Sequence, residues 1–227
     1  EELLRDQFRR IGKLEIPQIW EALTGPHWGY RRKARMGVKW VAKKGRVLVG
    51  FRERRNPFLA EIDSCKVMHP IVGENLLALG EMIAGLSIKD KIPQIEVAIG
   101  DNDCVLAVRV LEPPSAADQQ RMREYAEKLG VTICLQPKGP DSIVPLDGEA
   151  EVVPSYALAE QGVKFNFRPA MFTQVNYEIN RKMVTRAIEA LELGKDDRVL
   201  DLFCGLGNFT LPLATRAGYV VGVEGDL

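Results

Sequence analysis

The sequence predicts an α+β domain followed by the opening of a doubly wound α/β sheet, with a short helical segment in front. Residues 26–168 contain apolar strands that alternate with helices of 3.6-residue period. Residues 169–227 follow the order helix, strand, glycine turn, helix and strand, which is typical of a parallel sheet covered by helices. Residues 1–25 have a helical pattern that breaks at Thr24-Gly25-Pro26. This segment can pack on either of the two larger units.

The first strands of the central unit follow from period-two alternation of apolar residues. Residues 31–41 and 46–51 are predicted strands joined around Lys43-Lys44-Gly45, and residues 58–63 are a predicted third strand. Pro70 starts a predicted helix, because proline suits the first helical position. Its predicted buried face consists of Val72, Leu76, Leu79, Ile83 and Leu86.

The rest of the central unit reads as a hairpin, a capped helix and a further strand. Residues 95–99 and 104–111 flank a predicted hairpin turn. Ser115 and Asp118 have the spacing of a capping box, and Gly130 is placed to end the helix that they start. A strand follows at 131–135. The second unit, residues 169–227, then begins with a long predicted helix at 176–193. The predicted apolar stripe of that helix is Ile179, Met183, Ala187, Ile188 and Leu191.

The composition is that of a globular protein: the 227 residues are 46% hydrophobic and 27% charged. No stretch approaches the ~20 apolar residues that a membrane span needs. The charged N-terminal residues do not form a secretory signal. The four cysteines are widely spaced and form no C-x-x-C pair. We therefore expect a cytoplasmic protein in a reduced compartment that does not contact a membrane.

The neutral net charge conceals a basic segment at residues 31–55. It holds eleven basic residues and one acidic residue, whereas the remainder of the chain is strongly acidic. Lysine and arginine at this density neutralise phosphates, and this predicts a nucleic-acid surface. The alternative is a solvated hairpin face above buried aromatic residues. The residues predicted to contact RNA are Arg31, Arg32, Lys33, Arg35, Lys39 and Arg52.

A glycine turn near the end of the chain carries the clearest binding signal. The apolar strand that ends at Phe203 leads through Cys204 into Gly205-Leu206-Gly207-Asn208 and then a helix. Glycines let a ligand approach the main chain closely, and Glu224 after the next strand is placed to accept ribose hydroxyls. A dinucleotide fingerprint needs a third glycine, where this chain has Thr210. The pattern favours S-adenosylmethionine (SAM) over NAD; the alternative is that the glycines only make a tight turn.

Three longer motifs resemble the RNA uracil-C5 methyltransferase family. They are Phe172-Thr173-Gln174-Val175-Asn176, the stretch 200–214 around Leu200-Asp201-Leu202-Phe203-Cys204-Gly205, and Val221-Gly222-Val223-Glu224-Gly225. The resemblance implies a central α+β RNA-binding domain followed by the first β-α-β of a Rossmann-like SAM-dependent methyltransferase domain. It is greater to the branch that acts on ribosomal RNA than to the tRNA-acting branch. The residues that it implies for SAM binding are Gln174, Phe203, Gly205, Gly207, Asn208 and Glu224.

The same resemblance implies a mechanism whose catalytic groups lie outside this chain. In the family, a cysteine thiolate adds to uracil C6, C5 takes the methyl group from SAM, and a base removes the C5 proton. Both groups lie beyond Glu224 in the family, and we expect residues 1–227 alone to be inactive. Cys204 is interpreted as a packing residue and not as the nucleophile.

Cys65 matches the fourth ligand of the 4Fe–4S cluster that rRNA-acting members hold. The other three ligands would precede residue 1. The expected partner is ribosomal RNA and the expected state is a monomer. Three alternatives stay open: a tRNA methyltransferase, a different SAM enzyme, or an RNA-binding fragment without catalysis.

Overall fold

The computed structural model describes residues 1–16, 18–148 and 152–225. Helix α1 spans Glu2–Gln7 and continues as a π-helical turn over Phe8–Gly12. Lys13 then adopts a left-handed conformation with φ 55°, and this ends the helix because the left-handed region is incompatible with a right-handed helical path. The prediction of a helix over residues 1–24 is therefore wrong for residues 13–16 and 18–24, and position 17 lies outside the described residues.

The centre of the fold is a six-stranded sheet. Its strands are β1 Lys33–Val41, β2 Arg46–Gly50, β3 Gln94–Ile99, β4 Cys104–Arg109, β5 Thr132–Gln136 and β6 Val144–Pro145. They lie in the order β2-β1-β3-β4-β5-β6, and neighbouring strands are antiparallel except β4 and β5, which run parallel. The helix between β4 and β5 makes this parallel connection possible, because a crossover needs a dozen or more residues.

Three helices cover one face of this sheet: α2 Pro70–Gly73, α3 Leu76–Ala84 and α4 Ala116–Leu129. The helix predicted from Pro70 is thus confirmed, with a break after Gly73. The five apolar residues predicted for its inner face are all buried, and each is at most 3% exposed. They pack against alternate residues of β1–β4, and this layer forms the larger hydrophobic core.

The segment 58–63 is not the predicted third strand. It makes only an isolated pairing of Arg52 with Leu59. Its side chains instead pack over the sheet at two glycines that pair across β1 and β2. A Cβ on Gly37 would lie 2.6 Å from Leu59 Cδ2, and one on Gly50 would lie 3.2 Å from Ile62 Cδ1. Leu59 and Ile62 are therefore apolar because they pack on the face of the sheet, and the segment does not pair along an edge as a further strand.

The other face of the sheet supports a hairpin, β7 Ser155–Leu158 and β8 Val163–Asn166, and helix α5 Tyr177–Leu191. The predicted β-α-β follows as β9 Arg198–Leu202, helix α6 Thr210–Ala214 and β10 Tyr219–Val223. Strands β9 and β10 are parallel and paired in register. A second core joins these elements to the six-stranded sheet. The order predicted for residues 169–227, helix, strand, glycine turn, helix and strand, is confirmed.

Residues just before the central sheet lie against α5. Lys182 Nζ donates to the Thr24 carbonyl at 2.7 Å, and a Cβ on Gly25 would lie 3.1 Å from Ile179 Cδ1. These contacts support packing of the N-terminal segment on residues 169–227, the unit that contains α5. The domain boundaries 1–25, 26–168 and 169–227 stay predictions. None of the helices among the described residues is long and apolar enough to cross a membrane.

The capping box of α4 is present and extends into the core. The Asp118 carboxylate accepts hydrogen bonds from Ser115 N at 3.0 Å, from Ser87 N at 2.7 Å and from both serine hydroxyls. Burial alone would raise the pKa of Asp118, but these hydrogen bonds outweigh it and hold the pKa at about 2, below the ordinary 3.8. The carboxylate thus links α4 to the end of α3.

We expect the substitution Asp118→Ala to lower the free energy of unfolding by about 2 kcal/mol, because it removes a cap and leaves serine donors without their acceptor. A depressed pKa stabilises the fold above the ordinary pKa and loses that contribution as the pH falls towards 2. The difference between wild type and variant should therefore shrink in urea titrations below pH 4. Glu127→Ala, on an exposed position of the same helix, is the control. A constant difference down to pH 2 would contradict this role.

Candidate cofactor site

The turn after β9 has a backbone that only a glycine-rich sequence forms easily. Phe203, Gly205 and Gly207 have φ values of 59°, 54° and 84°. A Cβ on Gly205 would meet no atom within 4 Å, so the main chain there is open to a ligand. Thr210 Oγ1, at the start of α6, donates to Asp201 Oδ2 at 2.6 Å and ties the helix to the strand.

The turn lies directly over the end of β10. Cys204 N donates to the Val223 carbonyl at 3.1 Å. A Cβ on Gly222 would lie 2.9 Å from Cys204 Sγ and 3.0 Å from Thr210 Cγ2, so the missing side chain of Gly222 makes the close approach possible. Cys204 packs here as a small residue, in keeping with its interpretation from the sequence.

Glu224 closes the site from the end of β10. Its Oε2 accepts a hydrogen bond from Gly205 N at 2.7 Å, and its Oε1 accepts one from Gly225 N at 2.8 Å. Two strands that follow each other in the chain thus bring a carboxylate onto the glycine turn. This is the position at which the second strand of a nucleoside-binding sheet presents an acceptor to a ribose.

Asn208 is held by two residues that the sequence did not single out. Its Oδ1 accepts from Tyr156 Oη at 3.0 Å and from Asn180 Nδ2 at 2.9 Å, and its Nδ2 donates to Asn180 Oδ1 at 2.8 Å. Asn180 lies on α5 and is 2% exposed. Asn180 is a polar residue on the buried face of an amphipathic helix, and this departure from the apolar pattern is the sequence feature that could have pointed to its role.

The buried face of α5 differs from the predicted stripe for this reason. It runs through Asn180, Val184 and Ile188, whereas the predicted member Leu191 is 52% exposed. Of the predicted stripe only Ile188 is buried. The helix turns Asn180 inward because its amide pairs with that of Asn208.

Gln174 lies beside the same group of residues. It lines a small cavity together with Thr173, Tyr156, Tyr177 and Asn180, closed by Arg32 and Ile99. The structure therefore brings Gln174, on the loop before α5, to the two side chains that hold Asn208. Phe203, in the turn, is 88% exposed as a residue.

The basic segment divides into paired and unpaired side chains. Glu96 on β3 is 4% exposed, accepts from Arg35 Nε at 2.7 Å and lies 3.5 Å from Lys33 Nζ. Burial lowers the pKa of Lys33 below its ordinary value, more than the neighbouring Glu96 raises it. These two cations neutralise a buried carboxylate, so part of the predicted RNA-contacting set has a structural partner.

Arg32 also has internal partners. Its Nη1 lies 2.9 Å from Asp101 Oδ1, and its guanidinium lies 4.3 Å from the centre of the Tyr177 ring. Lys39 and Arg52 are exposed, and neither forms an ion pair with any residue that the structure describes. Arg31 pairs through its backbone with Met68 and Asn176.

Cys65 is half-buried against the larger core and its thiol is free. Its backbone N donates to the Gly73 carbonyl at 2.8 Å, and a Cβ on Gly73 would lie 2.3 Å from the Cys65 carbonyl oxygen. The described residues contain no group of three or more His, Cys, Asp or Glu side chains that could hold a metal. A four-thiolate cluster therefore cannot be held by these residues alone.

A family profile described as "tRNA (Uracil-5-)-methyltransferase" matches residues 106–224, more than half of the chain. The chain belongs to the tRNA (uracil-5-)-methyltransferase family. The predicted membership of the RNA uracil-C5 methyltransferases is thereby confirmed. The match includes the hairpin that carries Tyr156, the helix that carries Asn180, the glycine turn and Glu224.

Two relatives within the family carry the same description, 23S rRNA (uracil(1939)-C(5))-methyltransferase RlmD. The protein from Methylococcus capsulatus is 50% identical over 99% of this chain and 51% of its own length. The protein from Alkalilimnicola ehrlichii is 51% identical over 98% of this chain and 50% of its own length. The chain thus spans about half the length of the curated relatives that it matches.

A solved structure has the same fold. The tRNA (uracil-54, C5)-methyltransferase of Pyrococcus abyssi, determined in complex with S-adenosyl-L-homocysteine, aligns with a TM-score of 0.65 and 21% identity. The alignment covers 99% of this chain and 56% of that protein. The predicted fold class, an α+β part followed by the start of a Rossmann-like methyltransferase sheet, is confirmed.

Proposed function

We propose that the protein containing this chain methylates uracil C5 in ribosomal RNA with SAM as the methyl donor. The observation that carries the proposal is the glycine turn closed by Glu224 at the ends of two parallel strands, in a chain of the uracil-C5 methyltransferase family. The names of the rRNA-acting relatives at 50% and 51% identity support ribosomal RNA as the substrate. The alternative is transfer RNA, the substrate named for the Pyrococcus enzyme.

The residues of the turn fit SAM. The open backbone at Gly205 admits a ligand, Glu224 offers carboxylate oxygens to the ribose hydroxyls, and Phe203 offers an exposed ring. Asn208 adds a polar group within the turn, and Gln174 adds one beside Tyr156 and Asn180, the two residues that hold Asn208. When bound, SAM supplies an electrophilic methyl group; these side chains would hold and orient it.

Three of the four cysteines are poor candidates for the nucleophile that adds to uracil C6. Burial raises the pKa of Cys104 to about 12 and that of Cys134 to about 11, so neither forms the reactive thiolate at neutral pH. Cys204 packs against β10. We therefore propose that the nucleophile and the base come from a part of the protein outside this chain.

We propose that Cys65 supplies one ligand to a 4Fe–4S cluster whose remaining ligands also come from outside the chain. Its free thiol and its backbone, fixed against Gly73, support this role. A ligand held in place before the cluster binds loses little conformational freedom on binding. We further propose that the protein is cytoplasmic and monomeric; its four free cysteines are compatible with a reducing compartment.

The test is methyl transfer from labelled SAM by the full-length protein, with 23S rRNA and tRNA transcripts offered separately. We expect 5-methyluridine in the digested rRNA and little in the tRNA. Equal or preferential labelling of tRNA would replace the proposed substrate by the alternative. If the protein binds RNA but forms 5-methyluridine in neither transcript, the proposed methyltransferase activity is rejected and the alternative of an RNA-binding protein without catalysis is supported.

The exposed cations provide a separate prediction about RNA binding. Replacing Lys39 and Arg52 by alanine in the full-length protein should weaken rRNA binding and lower the slope of log K against log salt by about 0.7–0.9 for each phosphate that is no longer neutralised. Lys128→Ala, at an exposed position on α4, is the control. Unchanged affinity and slope would remove these two residues from the RNA surface. Arg32 and Arg35 are less suitable targets, because their substitution also breaks internal ion pairs.

A further inference from the structure

The Asn208 amide has nearly all of its hydrogen-bonding capacity engaged within the protein. Its Oδ1 accepts from both Tyr156 and Asn180, and this occupies the two lone pairs of an amide oxygen. Its Nδ2 donates one of its two hydrogens to Asn180 Oδ1. Asn208 as a residue is only partly buried, and one N–H of its amide is therefore left for a ligand.

We propose that Tyr156 and Asn180 are positioning residues that orient Asn208 so that it acts towards the cofactor as a hydrogen-bond donor. The inference rests on the proposed SAM site. Neither residue belongs to the glycine turn: they lie 52 and 28 residues away in sequence. Each reaches Asn208 from a different element, β7 and α5, so the amide is fixed from two directions.

The surroundings of Tyr156 keep its hydroxyl in place. Its ring stacks on Phe165 at a centroid distance of 4.9 Å and meets Tyr177 edge-on at 6.2 Å. Tyr177 Oη in turn donates to the Ala157 carbonyl at 2.5 Å. Burial raises the pKa of Tyr156 to about 12, and its hydroxyl therefore stays protonated and able to donate. Because these contacts already restrict the ring, the Tyr156 hydroxyl can donate to Asn208 Oδ1 with little further loss of conformational entropy.

This arrangement also connects the cofactor turn to the basic segment. The Arg32 guanidinium lies over the Tyr177 ring, 4.3 Å from its centre. Asp101, the ion-pair partner of Arg32, accepts a hydrogen bond from Ala157 N at 2.9 Å. The hairpin that bears Tyr156 is thereby fixed to the sheet that bears the basic residues. The glycine turn thus takes its orientation from the central sheet as well as from its own two strands.

The test is SAM affinity of the full-length protein, measured by calorimetry, together with the melting temperature. Tyr156→Phe removes one oxygen and leaves the ring stack, and we expect roughly five- to tenfold weaker SAM binding. Asn180→Ala removes both amide hydrogen bonds and should weaken binding by more than about tenfold. The control is Tyr125→Phe, which removes a hydroxyl from a half-buried tyrosine in the other core and should leave affinity unchanged.

The outcomes separate positioning from simple structural support. A lower melting temperature with SAM affinity within about twofold of wild type in both variants would overturn the proposal. If Asn180→Ala fails to fold, Tyr156→Phe decides alone, because it preserves packing. Absence of SAM binding by the wild-type protein would instead reject the proposed function itself.

Discussion

Replacing Glu224 by alanine should weaken SAM binding on the order of 100-fold in the full-length protein. The carboxylate is expected to accept hydrogen bonds from the ribose hydroxyls, and a hydrogen bond to a charged group contributes about 1.5–3 kcal/mol. The substitution also removes the acceptor for Gly205 N, which fixes the turn over β10. Both effects lower the affinity, because the site no longer offers the ribose an acceptor and is less well preorganised.

Isothermal calorimetry with SAM measures this effect, with Glu189→Ala as the matched control. Glu189 is an exposed glutamate on α5, away from the turn, so its removal changes the net charge equally without touching the site. Glu224→Gln should lie between wild type and alanine, because an amide retains an acceptor oxygen. An affinity of Glu224→Ala within about threefold of wild type would exclude Glu224 from ribose binding.

Replacing Gly100 by alanine should lower the stability of the fold by about 3 kcal/mol, the upper end of the usual cost of overpacking. A Cβ at this position would lie 2.4 Å from the Ser155 carbonyl oxygen and 2.8 Å from Ser155 N. Both neighbours are backbone atoms, so no side-chain rotation relieves the clash. The strand pair β3–β4 and the hairpin that bears Tyr156 would be pushed apart, although Asp101 N bonds to Ser155 O at 2.7 Å.

Thermal unfolding of the full-length protein measures this cost. Gly139→Ala is the control, because a Cβ there meets no atom within 4 Å and its backbone is not left-handed. We expect a clearly lower melting temperature for Gly100→Ala and little change for Gly139→Ala. Equal melting temperatures would show that the hairpin and the sheet can separate without loss of stability.

The sequence alone determined those features whose physical causes lie within one or two elements. The capping box of Ser115 and Asp118 acts over three residues, and the inner face of the helices near Pro70 follows from helical period. The glycine turn and Glu224 could be predicted as one site because consecutive parallel strands end at the same edge of a sheet. The family resemblance extended this to SAM and uracil.

Tertiary structure alone decided which polar residues serve the fold and which remain available for ligands. Arg35 meets Glu96 across 61 residues and Arg32 meets Asp101 across 69, so local charge density could not reveal that these cations are paired. The burial of Asn180 and the packing of Leu59 on Gly37 likewise depend on distant partners. Periodicity describes how one element faces its surroundings; only the assembled fold decides which residue each side chain meets there.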